Sequence, residues 1–176
     1  MADVSTFDLQ LVPARAVDVD RIAAVVNAAF RIYPFMGGDR TSAEGVTEEM
    51  GDNGEFITAI DNGLVVGCAM FRPSVDVDWG MEGEDSICEV DAVYLGLVAV
   101  EPTIRKRGLG RRMVAEAERI GRERGYRRLV LGTLVEMGNV VYYEALGYAV
   151  DARKRFEAGH WGLPIDHDYC VMVKTL

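Results

Sequence analysis

The hydrophobic and polar positions of this chain switch between two periods. Phe7 to Leu11 alternates like a half-buried strand, and Val12-Pro13 ends it. After Asp18, a ready N-cap, Ile22, Val25, Val26, Ala29 and Phe30 recur at helical spacing and predict a helix to about Tyr33. Tyr33-Pro34-Phe35-Met36-Gly37-Gly38 breaks it, and Thr41 or Ser42 can cap a second helix reaching about Met50. A loop with such large apolar side chains reads equally as the lining of a site or as a connector packed on the core. Glu55–Ile60 and Leu64–Arg72 make a hairpin across Asp61-Asn62-Gly63. Pro73 to Asp85 is a long acidic connection, and Ile87 to Val100 is the next strand, with a bulge near Gly96.

The pattern is most informative from Tyr94 to Gly125. An apolar run ends at Glu101-Pro102, and Leu109, Met113, Ala117 and Ile120 then recur at helical spacing, with Gly121 and Gly125 marking the end. Between them stands Arg105-Lys106-Arg107-Gly108-Leu109-Gly110, followed by Arg111 and Arg112. Two glycines at a helix mouth let the backbone approach a ligand closely, and first-turn N–H groups have no intrahelical acceptor. With the helix dipole and the flanking cations, that end suits a pyrophosphate. The spacing is neither G-x-x-x-x-G-K-[ST] nor G-x-G-x-x-G, since Met113 holds the third glycine position.

Arg128 to Val135 reads as a strand buried on both faces and parallel to its predecessor through the helical crossover. Asn139 can cap a short helix to Leu146, with Gly147 ending it. Tyr148–Phe156 and Asp168 to about Lys174 are the last strands, joined by a loop from Glu157 to His167. The pattern predicts one α/β domain over residues 1–176: a mixed, mostly antiparallel sheet with one parallel βαβ unit and flanking helices.

Composition narrows the partners. At 176 residues and 49% hydrophobic, the chain supports a single core. The N-terminus lacks the apolar run of a signal peptide, and no apolar stretch nears the ~20 residues that cross a bilayer. A cytoplasmic protein without a membrane partner is expected. Cys68, Cys88 and Cys170 are odd in number and lie in or beside apolar runs, which suits buried thiols in a reducing compartment. With His160 and His167 the only histidines and no C-x-x-C, no metal is expected. The net charge of −9 is uneven. Arg105 to Arg128 carries ten of the 19 basic residues, while Ser74 to Asp91 carries seven acids and no base. One patch suits a compact phosphate ligand and the other a cation. An acidic chain with one short basic stretch is a poor nucleic-acid binder.

The basic glycine loop resembles the acyl-CoA loop of the GNAT superfamily of N-acetyltransferases, Arg/Gln-x-x-Gly-x-Gly/Ala, with Arg105, Gly108 and Gly110 in the pattern. A second family element, Tyr-Glu-x-Leu-Gly-Phe/Tyr, is similar to Tyr143-Glu144-Ala145-Leu146-Gly147-Tyr148. The order β-α-α-β-β-β-α-β-α-β-β is also the family's. The resemblance implies acetyl-CoA as acyl donor, its pyrophosphate on the loop amides of residues 105–111, including Lys106, Arg107, Leu109 and Arg111. It also implies that the backbone of Val98, Ala99 and Val100 takes the acyl carbonyl and pantetheine arm, and that Tyr143 lies beside the sulfur. Homodimers are common in the family. The asparagine that many relatives carry seven residues before the tyrosine is Glu136 here, and Asn139 does not stand in for it.

Acetyl transfer to an amine needs a polarised carbonyl, a proton for the departing thiolate and a neutral nucleophile. Val98 and Val100 N–H groups can serve the first, and Tyr143 the second, with Tyr142 as the neighbour that packs. For the third, Glu89 and Asp91 are the candidate bases because they alternate onto one face of the strand leading into the acyl site, with Glu136 next. The expected function is transfer of an acetyl group from acetyl-CoA to an amine acceptor. The alternative is a CoA-binding regulatory module without turnover.

Overall fold

The structure, a computed structural model, describes residues 7–77, 91–105 and 107–176. A seven-stranded sheet in the order β1-β2-β3-β4-β5-β7-β6 forms its centre. The strands are β1 (Asp8–Pro13), β2 (Glu55–Asp61), β3 (Leu64–Pro73), β4 (Ala92–Val100), β5 (Arg128–Leu134), β6 (Ala149–Phe156) and β7 (His167–Thr175). β4 and β5 are parallel neighbours, and all the other pairs are antiparallel. The helices are α1 (Val19–Phe30), α2 (Ala43–Met50), α3 (Leu109–Glu123), which makes the β4–β5 crossover, and α4 (Val140–Ala145).

Strand alternation sends neighbouring residues to two cores. Phe56, Cys68, Met70 and Leu97 meet Ile22, Val25 and Val26 of α1 and Val46 and Met50 of α2. On the opposite face Ile57, Phe71, Val93, Leu95, Leu129 and Leu131 meet Leu109, Met113 and Ala117 of α3 and Tyr143 of α4. Both thiols expected to be buried are so among the described residues. Burial pushes the Cys68 thiol up to about 12 and raises that of Cys170, so neither is a ready nucleophile. Cys88 and Glu89 lie outside the described residues. No helix among the described residues is long and apolar enough to cross a membrane.

The expected element order holds, with local differences that have physical causes. α1 stops at Phe30, three residues early, because Pro34 disfavours the helical region for Tyr33, which sits at φ −101°, ψ 95°. Asp18 caps α1 by accepting from the Arg21 N–H at 3.0 Å. Ser42, not Thr41, caps α2, accepting from the Gly45 N–H at 3.0 Å. At α4 the expected side-chain cap is absent: Asn139 occupies the N-cap position, but its amide instead donates toward Tyr33 Oη at 3.5 Å.

The bulge in β4 falls at Leu97 and Val98. β3 pairs Met70 with Gly96 and Cys68 with Ala99, so β4 carries one extra residue there, and Leu97 takes φ +45°. One extra residue turns every later side chain to the other face. Val93 and Leu95 face α3, whereas after the bulge Leu97 and Ala99 face α1. Val98 and Val100 thereby come to the α3 and α4 side, packed against that core. Gly96 serves a different purpose: a Cβ there would stand 2.6 Å from the Tyr94 ring, so the glycine makes room for the tyrosine.

Candidate active site

The parallel pairing of β4 and β5 runs from Ala92↔Arg128 to Leu95↔Leu131 and then ends. β5 continues to Leu134 paired with β7, while β4 continues to Val100 paired with β3, so the two strands part. The Glu101 N–H donates to Val66 O at 2.9 Å, on the β3 side. Backbone alternation turns the Val100 and Val98 N–H groups the other way, into the gap.

A cleft of about 450 Å³ opens there. Val98, Ala99 and Val100 of β4, Arg105 and Gly110 at the start of α3, and Met137, Asn139, Tyr142 and Tyr143 at α4 and just before it line it. Ala29, Phe30 and Tyr33, where α1 runs into the aromatic loop, line it as well.

The loop before α3 has the form an anion site requires. Gly108 is the N-cap of α3 at φ +76°, a conformation costly for any residue with a Cβ, and no side chain caps the helix. Its first N–H groups are therefore open to a ligand. The cations around them differ in role. Arg105 donates from Nη2 to Ala29 O and so ties the loop to the C-terminal turn of α1. Arg112 donates to Phe7 O at 3.3 Å. Arg111 is exposed and Arg107 half-buried, while Lys106 lies outside the described residues.

The two adjacent tyrosines of α4 are divided by burial. Tyr143 is 8% exposed and sits edge-on between Tyr142, with ring centroids 5.1 Å apart, and Tyr148, at 5.9 Å. Burial, then the neighbouring tyrosines, pushes its phenol well above the usual range. Tyr142 is 41% exposed and its hydroxyl reaches over the first turn of α3, 3.6 Å from where a Cβ on Gly110 would stand. Both line the cleft, so the residue that also packs in the core is Tyr143.

Of the carboxylates expected from the sequence, Asp91 and Glu136 do not line the cleft, and Glu89 lies outside the described residues. Asp91 precedes β4, pairs with Arg127 at 3.8 Å, and is seven residues from Val98, about 20 Å along a strand at ~3.3 Å per residue. Glu136 accepts from the Asp168 N–H at 3.0 Å and fixes the start of β7. Asn139, set aside in the sequence reading, is in the wall of the cleft. Tyr33 belongs to the aromatic loop that read equally as the lining of a site, whereas Ala29, Phe30 and Met137, which sequence reasoning missed, come from segments without a motif. For Phe30 the one available signal was the aromatic cluster at Tyr33–Phe35.

A parted parallel strand pair beside a glycine-capped helix start defines the class of protein, an acetyltransferase fold. The chain belongs to the acetyltransferase (GNAT) family, whose model matches residues 22–148. Among solved structures it is similar to a protein of Streptococcus mutans, with a TM-score of 0.70, 16% identity and 96% and 98% of the two chains covered. The ribosomal-protein-alanine N-acetyltransferase of Brucella melitensis aligns with a TM-score of 0.68 at 19% identity over 96% and 99% of the chains. An aminoglycoside 6'-N-acetyltransferase complexed with coenzyme A aligns with a TM-score of 0.63 at 19% identity over 96% of each. At these identities the likeness is one of fold. No curated protein matches the chain.

Proposed function

We propose that this protein transfers the acetyl group of acetyl-CoA to a primary amine by direct attack, with donor and acceptor bound together. The observation that carries the reading is the gap where β4 leaves β5, a cleft lined by Val98, Val100 and Tyr143. The residues fit the donor. The uncapped first turn of α3 at Gly108 and Gly110 would hold the pyrophosphate, with the charges of Arg107 and Arg111 nearby. The parted edge of β4 would pair with the amides of the pantetheine arm as a neighbouring strand would.

In this reading the gap-facing amides stabilise charge developing on the acyl oxygen as the amine adds. Tyr143 donates its proton to the sulfur as the C–S bond breaks, the nitrogen that has formed the new C–N bond gives up a proton to solvent water, and the phenolate is reprotonated from solvent. A phenol is already protonated at neutral pH, and the rise caused by burial makes Tyr143 a weaker acid, so its donation rests on its place in the cleft and not on its pKa. The acceptor reading follows charge: the seven acids between Ser74 and Asp91 would favour a cationic amine over a carboxylate.

A thiol-release assay with acetyl-CoA and a panel of polyamines, aminoglycosides, amino acids and peptide N-termini tests the function. Amine-dependent release of free CoA is expected. Tight acetyl-CoA binding with no release on any amine would make the chain a binding module instead.

A further inference from the structure

Glu118 is a buried carboxylate that the proposed reaction does not use. It lies on α3 at 8% exposure, and such residues are rarely buried unless paired. Its Oε1 accepts from Lys174 Nζ of β7 at 2.8 Å and from Tyr148 Oη at 3.2 Å, and its Oε2 from Arg122 at 3.4 Å. Lys174 Nζ also donates to Leu146 O, the C-cap of α4, at 2.8 Å, and stands 5.5 Å from the centre of the Tyr148 ring. The network therefore grips both the end of α4 at Leu146 and Tyr148, two residues beyond it.

Tyr143 hangs from those same groups. The Leu146 and Tyr148 N–H groups donate to Tyr143 O at 3.0 and 3.1 Å, and the Tyr148 ring meets the Tyr143 ring edge-on. α4 has six residues, too few to be stable alone, so its position comes from what anchors it. A buried ion pair is weak as a source of stability and better understood as a device that specifies geometry. The anchor is on α3, eight residues beyond Gly110, so one rigid helix carries both the donor-binding turn and the mount for α4, about 12 Å apart.

We infer that Glu118 and Lys174 are positioning residues for Tyr143: the buried pair, through Leu146 O and Tyr148, sets where the phenol stands against an acyl-CoA held by its pyrophosphate at Gly110 and by its acyl group at β4. The inference rests on the reading of Tyr143 as the proton donor. Misplacing a reacting group by about 1 Å can cost ~100-fold in rate, so the pair acts on turnover and not on donor affinity.

The test combines Lys174→Met and Lys174→Arg with Tyr143→Phe. Lys174→Met should lower kcat by about tenfold or more at an acetyl-CoA affinity unchanged by calorimetry, and Lys174→Arg should restore most of it. In the Tyr143→Phe background, Lys174→Met should cost nothing further, because the group it positions is gone. An equal loss in both backgrounds, or full activity of Lys174→Met, overturns the inference. Fluorotyrosine placed at position 143 gives a readout free of activity: its ¹⁹F resonance should shift or split in Lys174→Met, and an unmoved resonance also overturns it. A moved resonance with normal turnover of Tyr143→Phe would instead remove the proton-donor reading and leave the positioning intact. If Lys174→Met does not fold, Tyr148→Phe, which keeps the ion pair, carries the same comparisons.

Discussion

Tyr142 Oη stands 3.6 Å from the point a Cβ on Gly110 would occupy, so a side chain of α4 overhangs the open first turn of α3. The relationship separates two effects of changing Gly110. A single methyl meets the hydroxyl at ordinary contact distance, and Gly110→Ala should keep its fold and lose acetyl-CoA affinity modestly. Gly110→Glu puts a longer, negative chain where the pyrophosphate is proposed to lie, and calorimetry should record at least a hundredfold loss with circular dichroism unchanged. Unaltered affinity in a folded Gly110→Glu would remove the donor site from this loop.

The paired tyrosines should give opposite kinetic signatures. Tyr143→Phe removes a proton donated only during reaction, so kcat should drop about 100-fold while acetyl-CoA affinity stays put. Tyr142→Phe removes a hydroxyl over the donor turn, so the KM for acetyl-CoA should rise several-fold with kcat little changed. Steady-state kinetics of both variants, with chemistry shown to be rate-limiting, decides the assignment; the reverse pattern would exchange their roles.

Arg105 has a structural duty distinct from phosphate binding. Its guanidinium donates to Ala29 O in the last turn of α1, where helix carbonyls lack intrahelical partners. Arg105→Met keeps the stem and removes the donor, and should cost about 1.5–3 kcal/mol in urea unfolding, the range for hydrogen bonds to charged groups. Loss of donor affinity without any loss of stability would assign Arg105 to the ligand alone.

The periodicity carried the topology because each helix buries one face while the strands alternate between the two cores, so the two periods mark the elements. The parallel unit was legible from one apolar run, a basic loop and one amphipathic helix. The bulge expected near Gly96 is present on the next two residues, Leu97 and Val98, although Gly96 itself gives space to Tyr94 and the positive φ falls on Leu97. Legibility ended where a contact distant in sequence overrode the local signal. Asn139 suggested a cap, yet Tyr33, 106 residues away, takes its amide. Asp91 suggested a base by alternation, but alternation fixes a face and says nothing of position along the strand, and Asp91 sits at the far end.

Alkaline stability follows from the four most strongly raised of the seven tyrosines; burial also raises the Tyr142 phenol. Burial raises the Tyr94 phenol to about 12, and burial is also the leading cause that holds Tyr143, Tyr148 and Tyr169 above the usual ~10. At Tyr148 the adjacent Glu118 carboxylate adds to the rise. In the unfolded chain all four would ionise near ~10, so the folded state holds protons that the unfolded state releases. Their stabilising contribution is thus complete below about pH 10 and is lost as pH climbs from there through the folded values. Absorbance at 295 nm followed with far-ultraviolet circular dichroism should show the ionisation of these four phenols delayed beyond pH ~10 and appearing together with loss of helix. Full ionisation of all the tyrosines near pH ~10 in a folded protein would show that Tyr143 is open to solvent, which would also contradict its place between Tyr142 and Tyr148.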